Sequence, residues 1–466
     1  MKKRIAEGRW EPNGGMYVEA DCNLPSGESL IRQFLKGQHY NKKHFSYQSD
    51  TFWLPDTFGY NAALPQIMNG CGISYFCTTK LDWNETNVFP YDSFKWKGID
   101  QSEVIVHFND THNSPNPQNL NYKIYGGKNS EGTYFGNPIK HPDVNQSKLI
   151  SFGIGDGGGG PDYDMLEEAK RVKSLPGCPV AKYSTVSEFM IDLSKKGDTL
   201  PIFKGELYLE GHRGTLTQMA AIKRYNRKIE IALKQWEMLL CFSKFSKDIE
   251  IDWQEEMTQL NKWWHGLMLN QFHDIIPGTC IPEEHDRALR DYQTLSEQIT
   301  NRRAAFCSSL ATDVNDSLSL VNLHAWSIQG ITKIVLPSAI KDLKDTFTNS
   351  DGITFQAYKN LSDEQCVSID KTNINGYAIQ TVSLDTAGQE TKEIPFEYKD
   401  HILNTPMYRV TFDQYGYIES LWDKEEEREI RGEGASLSCL WMGEDVPMKW
   451  DNWDIDYDQK HKMKLV

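Results

Sequence analysis

The sequence has no apolar run approaching the ~18 residues of a membrane-spanning helix, so neither a crossing nor a membrane partner is expected. Its nine cysteines are odd in number and never fall in CxxC spacing. That pattern argues against a disulfide framework and against a cysteine-based zinc site, and it points to a reducing, cytoplasmic setting. Positive charge is also short: 50 Lys and Arg face 65 Asp and Glu, for a formal net charge of −15. A chain of this balance has no broad basic face with which to displace phosphate counterions, so nucleic acid is not an expected partner. The first residues, Met1-Lys2-Lys3-Arg4, are basic as in a secretory leader, but Glu7, Arg9 and Glu11 stand where an apolar stretch should follow. No signal peptide is expected. There is no internal repeat, and no low-complexity tract beyond the four glycines after Asp156.

What is present is ordinary in bulk and zoned along its length. The 466 residues suggest two or three domains, and 39% hydrophobic with 25% charged residues suits a globular protein. Residues 1–212 alternate short apolar runs (Ile73–Phe76, Val104–Val106, Leu149–Ile154) with helical patterns, which predicts an α/β domain built on a parallel sheet. Ser26 stands as an N-cap before a helix whose apolar positions Leu30, Ile31, Phe34 and Leu35 share a face. Residues 213–312 carry three long helical patterns, with Pro277-Gly278 separating the second from the third, and predict a three-helix bundle. Residues 313–466 carry strand-like runs, among them Leu318–Val321, Ile334–Leu336, and Tyr408–Phe412 paired with Ile418–Leu421 across a turn at Gly416. They predict part of a β-sandwich.

Four stretches carry residue types with chemical potential. In Trp53-Leu54-Pro55-Asp56-Thr57-Phe58-Gly59-Tyr60 a carboxylate follows a proline that stiffens the backbone. Asp56 there suits a nucleophile or a metal ligand, and equally a turn or cap residue. In Gly155-Asp156-Gly157-Gly158-Gly159-Gly160-Pro161 glycines admit close approach of a ligand around one carboxylate. The run lacks the Lys-Ser/Thr of a P-loop and the spacing of a dinucleotide fingerprint. In Asn270-Gln271-Phe272-His273-Asp274 an adjacent His and Asp close a helical pattern and offer a metal ligand beside a second carboxylate. Lys204 to Thr215 alternates like a strand and ends in the polar groups Glu210, His212 and Arg213. Each stretch alone has an ordinary structural reading, but their order together is distinctive.

In that order the stretches resemble the α-mannosidases of glycoside hydrolase family 38, nearest its cytosolic-type branch. VEADCNLPSGESLIRQ, WLPDTFGYNAALPQI, GDGGGGP, KGELYLEGHRGT, NQFHDIIPGT, NTPMYRVTFDQYGYIESLWDK and VPMKWDNWDI carry the resemblance over nearly the whole chain. It implies an α/β barrel-like catalytic domain, a three-helix bundle and then β-sandwich domains. It also implies retaining hydrolysis of terminal α-D-mannosides by two carboxylates, with a divalent metal, zinc or alternatively cobalt, engaging sugar hydroxyls. By motif, Asp56 corresponds to the nucleophile and to a metal contact, His273 to a metal-binding histidine, and Asp274 to a residue contacting sugar hydroxyls. Asp156 is the candidate general acid/base, with Asp162 in reserve, because other branches place the acid where this chain has Gly157. His212 and Arg213 are candidate substrate-binding residues. Mannose-containing oligosaccharides are the implied partners, and homo-oligomers are possible.

The family's metal site also uses a His-x-Asp pair upstream of the first matching stretch. The chain therefore reads as truncated at both ends, with an incomplete barrel, two of four metal ligands missing, and no activity of its own expected. Two other readings accompany the leading one. The chain is alternatively a non-catalytic carbohydrate-binding or degenerate member, or another metal-dependent carbohydrate hydrolase of deacetylase type.

Overall fold

The computed structural model describes residues 1–84, 86–112, 127–128, 134–135, 139–154, 159–245, 251–310, 317–336, 346–385, 395–433 and 437–466. The chain forms two compact units. The first comprises Met1–Lys234, Ile251–Asn301 and Val446–Asp456; the second comprises Gln235–Glu250, Arg302–Asp445 and Tyr457–Val466.

After a short helix at Lys2–Ala6, the first long helix of the first unit is α1, Gly27–Phe45. Ser26 caps it by accepting the Ser29 N–H at 3.3 Å, as the sequence predicts. Its buried stripe differs from the expected one. Leu30, Gln33, Phe34 and Gly37 are buried, whereas Ile31 and Leu35 are 37% and 57% exposed. Gln33 faces inward because it has partners there, donating to Met268 O at 2.9 Å and to Gln271 Oε1 at 3.2 Å.

The central sheet contains β1 Thr51–Trp53, β2 Tyr75–Thr78, β3 Ser93–Lys97, β4 Glu103–Phe108 and β5 Ile202–Lys204. Their order across the sheet is β1-β2-β4-β3-β5. Pairs β1–β2, β2–β4 and β3–β5 are parallel, and β3–β4 is antiparallel. The sheet is therefore mixed where a parallel one was expected. The short connection from β3 to β4 explains this, since a parallel pair needs a longer crossover. Among the described residues the two edge strands are not joined to each other; Gly14 adds a single parallel bridge to Phe52 outside β1. Phe52, Phe76, Phe94, Trp96, Val106 and Phe108 are buried in one apolar cluster with Leu30 and Phe34. Burial of both faces gives these strands their near-continuous apolar character.

Helices α2 Ala220–Phe245, α3 Trp253–Leu269 and α4 Pro282–Leu310 follow. Within the first unit, Trp263 Nε1 donates to Gln298 Oε1 at 3.0 Å between α3 and α4. Tyr292 OH reaches Asn226 Oδ1 at 3.4 Å between α4 and α2. Gly266 lies under Leu295, where a Cβ would stand 3.1 Å from a leucine methyl.

The second unit is largely β-sheet. Ser317–Asn322 pairs antiparallel with Ala378–Ser383. A four-stranded sheet of Ile328–Val335, Gln365–Ile374, Thr354–Lys359 and Thr346–Thr348 shares a core with that pair. Phe347 and Phe355 stack at 4.8 Å within it. A five-stranded antiparallel meander runs from Glu397–Lys399 through Arg428–Glu429, with Gly416 at φ +86° in the turn between Tyr408–Phe412 and Ile418–Asp423, and Trp441–Met442 pairs with Lys464–Leu465. No helix among the described residues is long and apolar enough to cross a membrane.

Candidate active site

Parallel strands present their C-terminal ends on one side, and loops leaving those ends gather polar groups there. Asp56 lies three residues beyond the end of β1, and Lys80 lies two beyond the end of β2. Because β1 and β2 are neighbours in register, Thr51 beside Tyr75 and Trp53 beside Cys77, the two side chains meet: Lys80 Nζ is 3.0 Å from Asp56 Oδ1. The ammonium also stands 4.1 Å over the ring of Trp83.

The Asp56 loop is tied down on three sides. The Pro55 carbonyl accepts from Thr79 N at 3.2 Å and from the Thr79 hydroxyl. Tyr60 OH, fully buried, bridges Leu54 O at 3.1 Å, Thr57 O at 2.5 Å and Thr78 Oγ1 at 2.8 Å. The main-chain amides of Asp56 and Thr57 donate to Glu19 Oε1 at 2.6 and 3.0 Å. A buried backbone must find partners for its polar groups, and here those partners leave the Asp56 side chain, 47% exposed, pointing out of the loop.

His273 arrives from a different direction, in the turn after α3. The Glu19 carbonyl accepts from both His273 N at 3.0 Å and His273 Nδ1 at 3.1 Å. A carbonyl only accepts, so Nδ1 carries a proton, and Nε2 is the nitrogen whose lone pair is available when the ring is neutral. That Nε2 is 3.9 Å from Asp56 Oδ2 and 3.6 Å from Asp274 Oδ2. Asp274 is itself held by the Thr279 hydroxyl, and its carbonyl accepts from Thr279 N and Cys280 N, both at 2.9 Å.

A buried carboxylate and a half-buried ammonium, Asp21 and Lys223, accompany this group. Asp21 is 3% exposed, and its Oδ1 accepts from Asn23 N at 2.8 Å and Leu24 N at 2.7 Å. Burial raises its carboxyl above the usual range. Lys223 donates to Ile276 O at 3.1 Å and Pro277 O at 3.0 Å, latching the turn that carries His273 and Asp274. Burial lowers its ammonium to about 8, partly offset by Asp21. Burial likewise raises the Glu19 carboxyl, opposed by His273 and by the two amides it accepts.

Of the residues singled out in the sequence, Asp56, His273 and Asp274 thus come together. His212 lies beside them but is buried, its ring 4.7 Å from Phe58 and 6.1 Å from Trp453. Among the described residues its Nδ1 has no hydrogen-bond partner, and burial lowers the ring to about 4. Arg213 points outward, 63% exposed, 4.0 Å from Glu210. The segment from Lys204 to Thr215 is not one strand: Gly205 takes φ +116°, a two-residue strand follows at Leu207–Tyr208, and Glu210–Leu216 is a 3-10 helix. Asp156 lies outside the described residues. Asp162 caps the helix Tyr163–Arg171, accepting Met165 N at 2.8 Å on an exposed surface.

Glu19 and Lys80 escaped the sequence reading. Glu19 had a signal, a charge set between Val18 and Ala20 just before Asp21; Lys80 had none beyond its position after a strand.

Among the described residues no group of three or more His, Cys, Asp or Glu side chains forms a coordination set. Asp56 and His273 nevertheless fit two places in one. The imidazole presents a free nitrogen, the carboxylate an oxygen on the same side, and such mixed donors suit zinc or cobalt.

Residues 1–206 match the model of the glycosyl hydrolases family 38 N-terminal domain, 210–310 that of the alpha mannosidase middle domain, and 403–466 that of the family 38 C-terminal domain. The chain belongs to glycosyl hydrolase family 38. Within family 38 it is 34% identical over 464 residues to alpha-mannosidase 2C1 of Homo sapiens, covering 98% of this chain and 41% of that protein. It is 32% identical over 491 residues to alpha-mannosidase G of Dictyostelium discoideum, covering 97% and 43%. The chain thus spans less than half the length of these relatives. Among solved structures, an alpha-mannosidase from Enterococcus faecalis V583 shares the fold with a TM-score of 0.67 at 14% identity, over 100% of this chain and 56% of that one.

Proposed function

We propose that this chain carries the catalytic centre of an α-mannosidase that hydrolyses terminal α-D-mannosides with retention of configuration. The observation that carries the reading is the convergence of Asp56 and His273, from segments more than 200 residues apart, at the C-terminal side of the sheet. Asp56 is the nucleophile: its loop is fixed through the backbone while its carboxylate stays accessible, as attack on an anomeric carbon requires. Asp156 is the acid that protonates the leaving oxygen and then activates water. Asp274 and Arg213 orient sugar hydroxyls, and His212 backs the site as a neutral ring. His273 and Asp56 hold one divalent cation, zinc or cobalt, which when bound polarises sugar hydroxyls. The absence of disulfides at the buried thiols Cys22, Cys77 and Cys366 supports a cytoplasmic location.

With only two donors from the described residues, cation affinity is weak and turnover by this chain alone is slow. The same donor count favours a second reading, a carbohydrate-binding member without catalysis. A fluorinated mannosyl fluoride separates the two. Incubated with the chain and Co2+, it leaves a glycosyl adduct on the Asp56 peptide if the first reading holds. Mannoside binding with no adduct and no aryl α-mannoside hydrolysis at any Co2+ or Zn2+ concentration overturns it.

A further inference from the structure

We propose that Glu19 is the positioning residue that sets Asp56 and His273 relative to each other. Its carboxylate holds the loop of one, and its main-chain carbonyl holds the ring and amide of the other. The inference rests on the reading of Asp56 and His273 as site residues.

The problem it solves is geometric. Asp56 follows a strand and His273 follows a helix of a different layer, and at 3.9 Å they share no hydrogen bond of their own. Something else must fix their separation. Glu19 makes four hydrogen bonds that do so. Oε1 accepts from Asp56 N at 2.6 Å and Thr57 N at 3.0 Å. The carbonyl accepts from His273 N at 3.0 Å and His273 Nδ1 at 3.1 Å. The short link between the two ends of Glu19 is its own side chain, so displacement of either partner is limited by one residue's rotamer. The residues after it are pinned the same way. Ala20 bridges Phe272, Asp21 N donates to Gln271 O at 2.9 Å, and Thr57 Oγ1 donates to Ala20 O at 3.2 Å. Residues 19–21 therefore run as a strip between the Asp56 loop and the His273 turn, bonded to both.

The strip also selects residue type. Only a side chain with an acceptor at the δ-carbon reaches both amides. Glutamine keeps that acceptor, aspartate is one methylene short, and alanine has none. A charged acceptor makes stronger bonds to N–H groups than a neutral one, which favours Glu over Gln. The side chain of Glu19 is the acceptor that fixes the Asp56 loop, while its main-chain carbonyl keeps orienting His273 in every variant; losing an outer group that holds a ligating carboxylate in place typically costs about 10–100-fold in metal affinity.

The test uses the whole chain with Glu19→Ala, Glu19→Gln and Glu19→Asp. Hydrogen exchange is followed by mass spectrometry at the peptides containing Asp56-Thr57 and His273, and Co2+ affinity by titration. In Glu19→Ala, exchange at Asp56-Thr57 accelerates by about tenfold or more while the His273 amide, whose acceptor is main chain, stays protected; Co2+ affinity falls by about tenfold or more. Glu19→Gln stays within a few-fold of wild type on both readouts, and Glu19→Asp behaves like Glu19→Ala. A merely structural residue would release both peptides together. That outcome overturns the proposal, as does Glu19→Ala within twofold of wild type, or Glu19→Gln falling as far as Glu19→Ala. If Glu19→Ala fails to fold, Glu19→Asp against Glu19→Gln decides. If wild type binds no Co2+, the cation reading fails by itself and the exchange pattern still judges Glu19.

Discussion

Gly37→Ala sets two effects of opposite sign against each other. Gly37 lies inside helix α1, where alanine is ordinarily better than glycine by about 1 kcal/mol. Here a Cβ would stand 2.4 Å from the Met16 carbonyl carbon and 2.5 Å from the oxygens of Gly15 and Met16. All three are backbone atoms that no rotamer change can move. Overpacking of this kind costs about 1–3 kcal/mol, so against the propensity gain of about 1 kcal/mol the variant is less stable by up to about 2 kcal/mol. Gly27, in the first turn of the same helix, has nothing within 4 Å of its Cβ position, so Gly27→Ala gains a few tenths of a kcal/mol. The assay is urea unfolding of the three proteins followed by tryptophan fluorescence. Gly37→Ala as stable as Gly27→Ala would refute the close approach of α1 to residues 15–16, and with it the placement of the segment leading to Glu19.

Ser26→Ala removes the α1 cap and lowers stability by about 1 kcal/mol in the same assay. Lys80→Met removes the ammonium 3.0 Å from Asp56, so calorimetric titration is expected to show tighter Co2+ binding, because a competing positive charge is gone; weaker binding would contradict the pairing. His212 contributes a pH dependence whose sign is fixed. With the folded ring lowered to about 4 by burial and an unfolded value near 6.5, the unfolded chain takes up the extra proton in that window. Stability is therefore lost as pH falls from about 6.5 to about 4, by up to about 3 kcal/mol. Wild type should lose its stability difference from His212→Gln over that range, measured by urea midpoints, and a constant difference would refute the buried neutral ring.

Asp56, His273 and Asp274 were legible through the order of their stretches and the resemblance to family 38 which that order carries; alone, a proline before a carboxylate or a histidine beside an aspartate has an ordinary structural reading. Glu19 was not, since it acts through backbone amides and a carbonyl, and no residue pattern announces which amides a distant carboxylate will meet. The face of α1 was misjudged for a related reason. Apolar spacing favoured Ile31 and Leu35, but the helix turns Gln33 and Gly37 inward because Met268 O and Gln271 supply hydrogen bonds and residues 15–16 approach too closely for a side chain. Lys204 to Thr215 alternates like a strand, and the positive φ at Gly205 breaks it.

The central claim is that Asp56 and His273 face one cation. With histidine ring nitrogens labelled, Co2+ added to the chain should broaden Nε2 of His273 first among the 12 histidines, and Asp56→Ala should abolish that selectivity. Broadening that begins at another histidine, or that persists unchanged without the Asp56 carboxylate, would contradict it.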